Sequence, residues 1–133
     1  MNFIFNNPIK VLLGSLFVVI LFHICVMSGI VPYDIVWGGR LTNENEMYVF
    51  ETISILINVF LSWILLMKVD FVKFKFSDKV VKTILWTFFG LFILNTIGNV
   101  FAETTFEMLF ALLTGIFAVL IWNIVKQKKT TNP

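Results

Sequence analysis

The sequence predicts an all-α polytopic membrane protein, an antiparallel bundle of four transmembrane helices forming one domain over residues 1–133. Three observations predict it. Hydrophobic residues make up 59% of the chain and charged residues 14%, with a mean hydropathy of +0.93; a soluble domain carries about 25% charged residues. Four apolar runs stand out, each close to the roughly 20 residues that cross a bilayer at about 1.5 Å rise per residue. The lysines fall in alternate segments between those runs.

The expected helices span about 8–31, 46–67, 79–102 and 105–126, and each start carries a signal. Asn7-Pro8 supplies an N-cap and a proline at the first helical position. Asn43 with Glu46 has capping-box spacing, and so has Thr104 with Glu107. Ser77-Asp78 precedes the third helix. The turn before the fourth is so short that the third and fourth helices must be neighbours. The first helix is read as a span and not as a cleaved signal peptide. Val26-Met27-Ser28 is a passable cleavage context, but the apolar run before it is long and Lys10 is its only basic flank.

Orientation follows from charge. Lys10, Lys68, Lys73, Lys75, Lys79, Lys82, Lys126, Lys128 and Lys129 all fall on one side, and Arg40 alone on the other. Under the positive-inside rule the lysine side is cytoplasmic, which places both termini there. Asp34, Glu44, Glu46, Glu51, Glu103 and Glu107 gather on the opposite side; only Asp70 and Asp78 join the lysines. Trp63, Trp86 and Trp122 mark the inner interface, and Tyr33, Trp37 and Tyr48 the outer one. Val72-Lys73-Phe74-Lys75-Phe76 alternates apolar and basic residues, a pattern for the inner surface and its anionic lipid heads. The abundance of Lys, Ile, Phe and Asn points to an AT-rich bacterial genome, hence to a bacterial inner (cytoplasmic) membrane.

Polar groups at membrane depth need a partner or a purpose. In the second helix Glu51, Ser54, Asn58 and Ser62 fall within about 80° of one another. Asn95, Asn99 and Glu103 recur every four residues in and just beyond the third. Glu107, Ala111, Thr114 and Ala118 share one face of the fourth, with Gly115 beside it. His23 stands alone on the first, on a different face from Gly14, Cys25 and Ser28. Bland readings exist for most of these. Glu46 and Glu107 serve as caps, Asn58, Ser54, Ser62, Ala111 and Gly115 as helix-packing contacts, and Cys25 as a small apolar filler. Glu51 is the least easily dismissed, because a carboxylate inside the membrane requires a counterpart, and His23 is the candidate. The loop at 31–45 carries Gly38-Gly39, suited to a tight turn. It also carries Arg40, whose guanidinium can fork onto Asp34, Glu51 or Glu103 as a clamp or meet an anionic headgroup.

The polar groups concentrate in the outer half. The candidate ligand-binding set is therefore His23, Glu51, Asn58, Asn95, Asn99, Glu103 and Arg40. The best-fitting function is binding of a lipid or small lipophilic molecule in a pocket open to the outer half of the bilayer. Alternatives are an isomerase-type membrane enzyme in which Glu51 and His23 exchange a proton with substrate, an ion or solute transport subunit, and an accessory subunit of a larger complex. In helix count and in the placement of polar groups, the chain resembles DoxX-like and emopamil-binding-like four-helix proteins and other small bacterial four-helix membrane proteins. No catalytic residue is carried across. No nucleotide loop, Gly-x-Ser-x-Gly, His-Glu-x-x-His or Cys-x-x-Cys occurs. With one histidine and one cysteine, no metal site or cofactor is expected. The net charge of +2 gives no reason to expect nucleic acid. Membrane lipids, a lipophilic ligand, a second copy or a larger complex are the expected partners.

Overall fold

The computed structural model of the protein describes residues 7–102 and 104–127; Glu103, Lys128 and Lys129 lie outside them. It is all-helical. The long helices are α1 (Pro8–Met27), α2 (Glu44–Lys68), α3 (Asp78–Val100) and α4 (Thr105–Lys126), and all four are long and apolar enough to cross a membrane. Two single-turn 3-10 helices, Tyr33–Ile35 and Trp37–Gly39, lie in the α1–α2 connection.

The caps form as their residue types dictate. Asn7 Oδ1 accepts from the Lys10 amide at 3.4 Å, with Pro8 at the first helical position. Asn43 Oδ1 accepts from the Glu46 amide at 2.9 Å, and Ser77 Oγ from the Val80 amide at 3.3 Å. Thr104 and Glu107 complete a cap in which the Glu107 amide donates to Thr104 Oγ1 and that hydroxyl donates to Glu107 Oε2. At the start of α2, Glu46 turns away from Asn43. Its Oε2 accepts from the amide and hydroxyl of Thr42, one residue further out.

The largest departure from the expected bounds is at the end of α1, which stops at Met27 and not near Val31. Ser28 is the C-cap and Gly29 follows in the left-handed conformation at φ +83°. The Gly29 amide donates to the Val26 carbonyl and the Ile30 amide to the Cys25 carbonyl, at 3.1 and 3.0 Å. This is a Schellman closure, whose signal is a glycine just past the last helical turn. Apolar character continues to Val31 and hides that stop. The same closure ends α2, with Asp70 as the left-handed residue at φ +59°, a conformation Asp tolerates better than most.

Packing joins α3 to α4 most extensively and α1 to α2, while α1–α4 and α2–α3 contacts complete the set. Phe92 meets Phe117, and Trp86 meets Trp122, at centroid distances of 5.3 Å each. Phe60 of α2 reaches Phe88 of α3, and Phe22 of α1 lies between Phe106 and Phe110 of α4. Thr96 and Thr114 hydroxyls meet at 2.9 Å across α3 and α4, beside Gly115, where a Cβ would touch the Thr96 side chain. A small residue and a hydroxyl pair thus join the aromatic pairs in that interface.

The core has two parts. The larger is wholly apolar and includes Leu12, Leu16, Leu61, Leu65, Leu85, Phe117 and Ile121. The smaller, Val26, Val36, Leu41 and Met47, lies under the α1–α2 loop. Many large side chains, Val18, Leu56, Leu94, Leu112 and Val119 among them, remain exposed on the outer faces of the helices.

Gly29→Ala should lower the midpoint of thermal unfolding in detergent, by the roughly 1 kcal/mol that a Cβ costs in the left-handed region. Gly14→Ala, whose Cβ enters open space within α1, should leave it unchanged or slightly raised. Equal midpoints for the two variants would refute the Schellman stop.

Candidate functional site

Glu51 sits two turns into α2 and is 1% exposed, although it is a carboxylate. Such a group is costly to bury unless its oxygens accept hydrogen bonds. Both do. His23 Nδ1–H donates to Oε2 at 2.5 Å, and Trp37 Nε1–H donates to Oε1 at 2.7 Å. One side chain therefore ties α2, α1 and the loop together.

The sequence places each member. His23 is one turn before the end of α1, since that helix closes at Met27. It is 13% exposed and packs edge-on against Phe22, with centroids 5.8 Å apart. Trp37 comes from the loop. Its ring lies 5.1 Å from that of Phe50, the residue before Glu51. Its backbone is left-handed at φ +56°, a rare conformation for a bulky residue. That strain, of order 1–3 kcal/mol, persists only where surrounding contacts over-determine it. Here the indole hydrogen bond, the Phe50 contact, buried Val36 and Leu41 on either side, and left-handed Gly39 (φ +65°) fix the turn.

Of the seven residues singled out in the sequence, the structure brings two together, His23 and Glu51. Asn58 does not join them. Its amide Nδ2 donates to the Ser54 carbonyl of its own helix at 2.7 Å, and Ser54 and Ser62 likewise bond back one turn. Beyond Glu51, the polar stripe on α2 is thus satisfied locally, and its expected role as interhelical glue falls to Thr96 and Thr114 instead. Asn95 is exposed and Asn99 half-buried, because Val81, Leu85, Phe88 and Thr96 set the packed face of α3. Arg40 is exposed and forms no ion pair with Asp34 or Glu51 among the described residues; the oxygens of Glu51 are already occupied. Glu103, its third expected partner, lies outside the described residues. On α4, Glu107, Ala111, Thr114 and Ala118 are all buried, as their shared face requires.

Trp37 is the member that sequence reasoning did not place in the site. Its position beside Gly38-Gly39, as the one tryptophan outside a long helix, was the available signal.

Two concavities are present, one near this arrangement and one on α4. A recess of about 320 Å³ is lined by residues that include Val26, Met27, Val31, Met47, Tyr33 and Tyr48, together with Asp34 and Glu44. Val26 and Met27 lie one turn beyond His23, and Met47 and Tyr48 one turn before Glu51, so the recess adjoins the clamp on both helices. A groove of about 440 Å³ runs along α4 over Ala111, Gly115 and Val119. No group of three or more His, Cys, Asp or Glu side chains capable of holding a metal occurs among the described residues.

Neither protein-family models, nor curated proteins, nor solved structures provide a match for this chain.

Removing the indole donor should unlatch the loop. Trp37→Phe forfeits a hydrogen bond to a charged group, worth about 1.5–3 kcal/mol, which corresponds to roughly tenfold or more loop opening. Arg40 is the sole arginine, so an arginine-specific protease cuts the chain once, within this loop. Cleavage after Arg40 should quicken at least severalfold in Trp37→Phe. Wild-type cleavage rates would rule out the latch.

Proposed function

We propose that this protein is an antiparallel four-span integral membrane protein of a bacterial cytoplasmic membrane, with both termini cytoplasmic, that binds a lipid or small lipophilic molecule at its outer half. The recess between the end of α1, the loop and the start of α2 carries the reading. Its lining combines apolar Val26, Met27, Val31 and Met47 with the polar groups of Tyr33, Tyr48, Asp34 and Glu44. Apolar walls with a few polar groups characterise small-molecule sites, and the volume lies near the lower end of their range.

Several observations support the membrane arrangement. Exposed apolar side chains cover the outer faces of all four long helices. The pairing of Trp86 with Trp122 and of Thr96 with Thr114 matches antiparallel α3 and α4. The loop after α2 exposes Phe71 and Phe74 beside Lys73, with Trp63 stacked on Phe74, as suits a lysine-rich inner interface. Lys126 over the Trp122 ring, at 5.0 Å, adds to that belt.

A second reading, an isomerase-type enzyme on a membrane-embedded substrate, is favoured by the short His23–Glu51 hydrogen bond, an arrangement able to exchange a proton with a bound molecule.

Met47→Trp should fill the recess and reduce the lipid extracted with the purified protein by at least half; an unchanged extract would count against the site. Fluorescent-protein and periplasmic-phosphatase reporters at the C-terminus should be active and inactive respectively. The reverse pattern would invert the proposed orientation.

A further inference from the structure

We propose that His23 Nε2 is the acceptor that recognises the hydroxyl group of a lipophilic alcohol, an assignment that rests on the ligand-binding reading and names the chemistry of its polar contact. The second nitrogen of this imidazole is what the clamp leaves over. Nδ1–H is committed to Glu51 Oε2, and Trp37 occupies Oε1. Indole can only donate, so it holds the carboxylate as an acceptor and keeps it from turning away from the histidine. In the neutral imidazole, a carboxylate on Nδ1–H fixes the tautomer and leaves the lone pair on Nε2, as it does where such pairs orient a metal-bound or catalytic imidazole.

Nε2 has no partner among the described residues, yet no buried side-chain nitrogen or oxygen is left without one. This atom therefore reaches the surface of the protein. Its setting is apolar, with Phe22 against the ring and Phe106 and Phe110 behind Phe22. An acceptor in such a place calls for a neutral donor on an apolar body, since an ammonium would have to be stripped of water at far greater cost. The recess one turn away offers room for the apolar remainder.

His23 is the only histidine, which gives a clean measurement on the full-length chain in detergent. Diethyl pyrocarbonate acylates an unprotonated imidazole nitrogen, and peptide-level mass spectrometry assigns the adduct to His23 apart from those on lysine amines. The expected result is one adduct at His23 whose formation decanol slows severalfold and decane does not. No adduct at His23 overturns the proposal. Equal slowing by both compounds overturns hydroxyl recognition and leaves the lipophilic site standing; slowing by neither overturns both. Glu51→Gln supplies the control for orientation. Its amide must place an N–H against either Trp37 or His23 Nδ1, which disrupts the latch or moves the imidazole proton to Nε2. Adduct formation should slow and the decanol effect should disappear. Should that variant fail to fold, Glu51→Asp, with its carboxylate withdrawn by one methylene, should show the same loss in weaker form. An undiminished decanol effect in whichever variant folds overturns the role of Glu51.

Discussion

A single buried carboxylate organises one end of this protein. Glu51 is sealed from its surroundings, and the cost of sealing it is offset only because both oxygens accept short hydrogen bonds, from His23 and from Trp37. Satisfying it therefore forces three separate segments to meet. The loop must fold back over α2, Trp37 must accept a left-handed backbone, and α1 must present His23 at the right height. Removing either donor leaves an oxygen of buried Glu51 unpaired, which couples the two contacts.

Away from this clamp the helices follow simpler rules. The larger core is built from Leu, Ile, Val, Phe and Met alone, and its contacts are those of shape. Polar side chains within the helices mostly return their hydrogen bonds to the preceding turn, as Ser54, Asn58, Ser62, Thr83 and Thr87 do. Thr96 and Thr114 also bond back to Phe92 and Phe110, but their hydroxyls meet each other as well, where Gly115 lets α3 and α4 approach. The molecule is thus asymmetric along its length, with a purely apolar core in one half and a few polar groups fixing the geometry in the other. The proposed ligand site lies in the second half, next to the only fixed imidazole.

Much of the fold was legible because its causes are local. Hydropathy and length specify four helices, and Asn7, Asn43, Ser77 and Thr104 mark their starts through side-chain oxygens that reach amides three residues on. The end of α1 was misread because apolar residues run past Gly29, and hydropathy says nothing about a left-handed backbone. The face of α4 was legible from its spacing, and that of α3 was not. Asn95 and Asn99 stood out by polarity, but Thr96, one position away, is the residue that faces α4.

What the sequence by itself determined is the number of long apolar helices, most of their limits, and the presence of a carboxylate and an imidazole that each needed an account. Those properties depend on residue type and near neighbours in the chain. Only the tertiary structure decided that His23 and Glu51 meet, that Asn58 and Arg40 stay apart from them, and that Trp37 supplies the third contact. Periodicity locates a side chain around its own helix axis. It does not fix the rotation of one helix against another or the path of a loop; where α1, α2 and their loop meet, satisfying both oxygens of Glu51 at once ties those choices together.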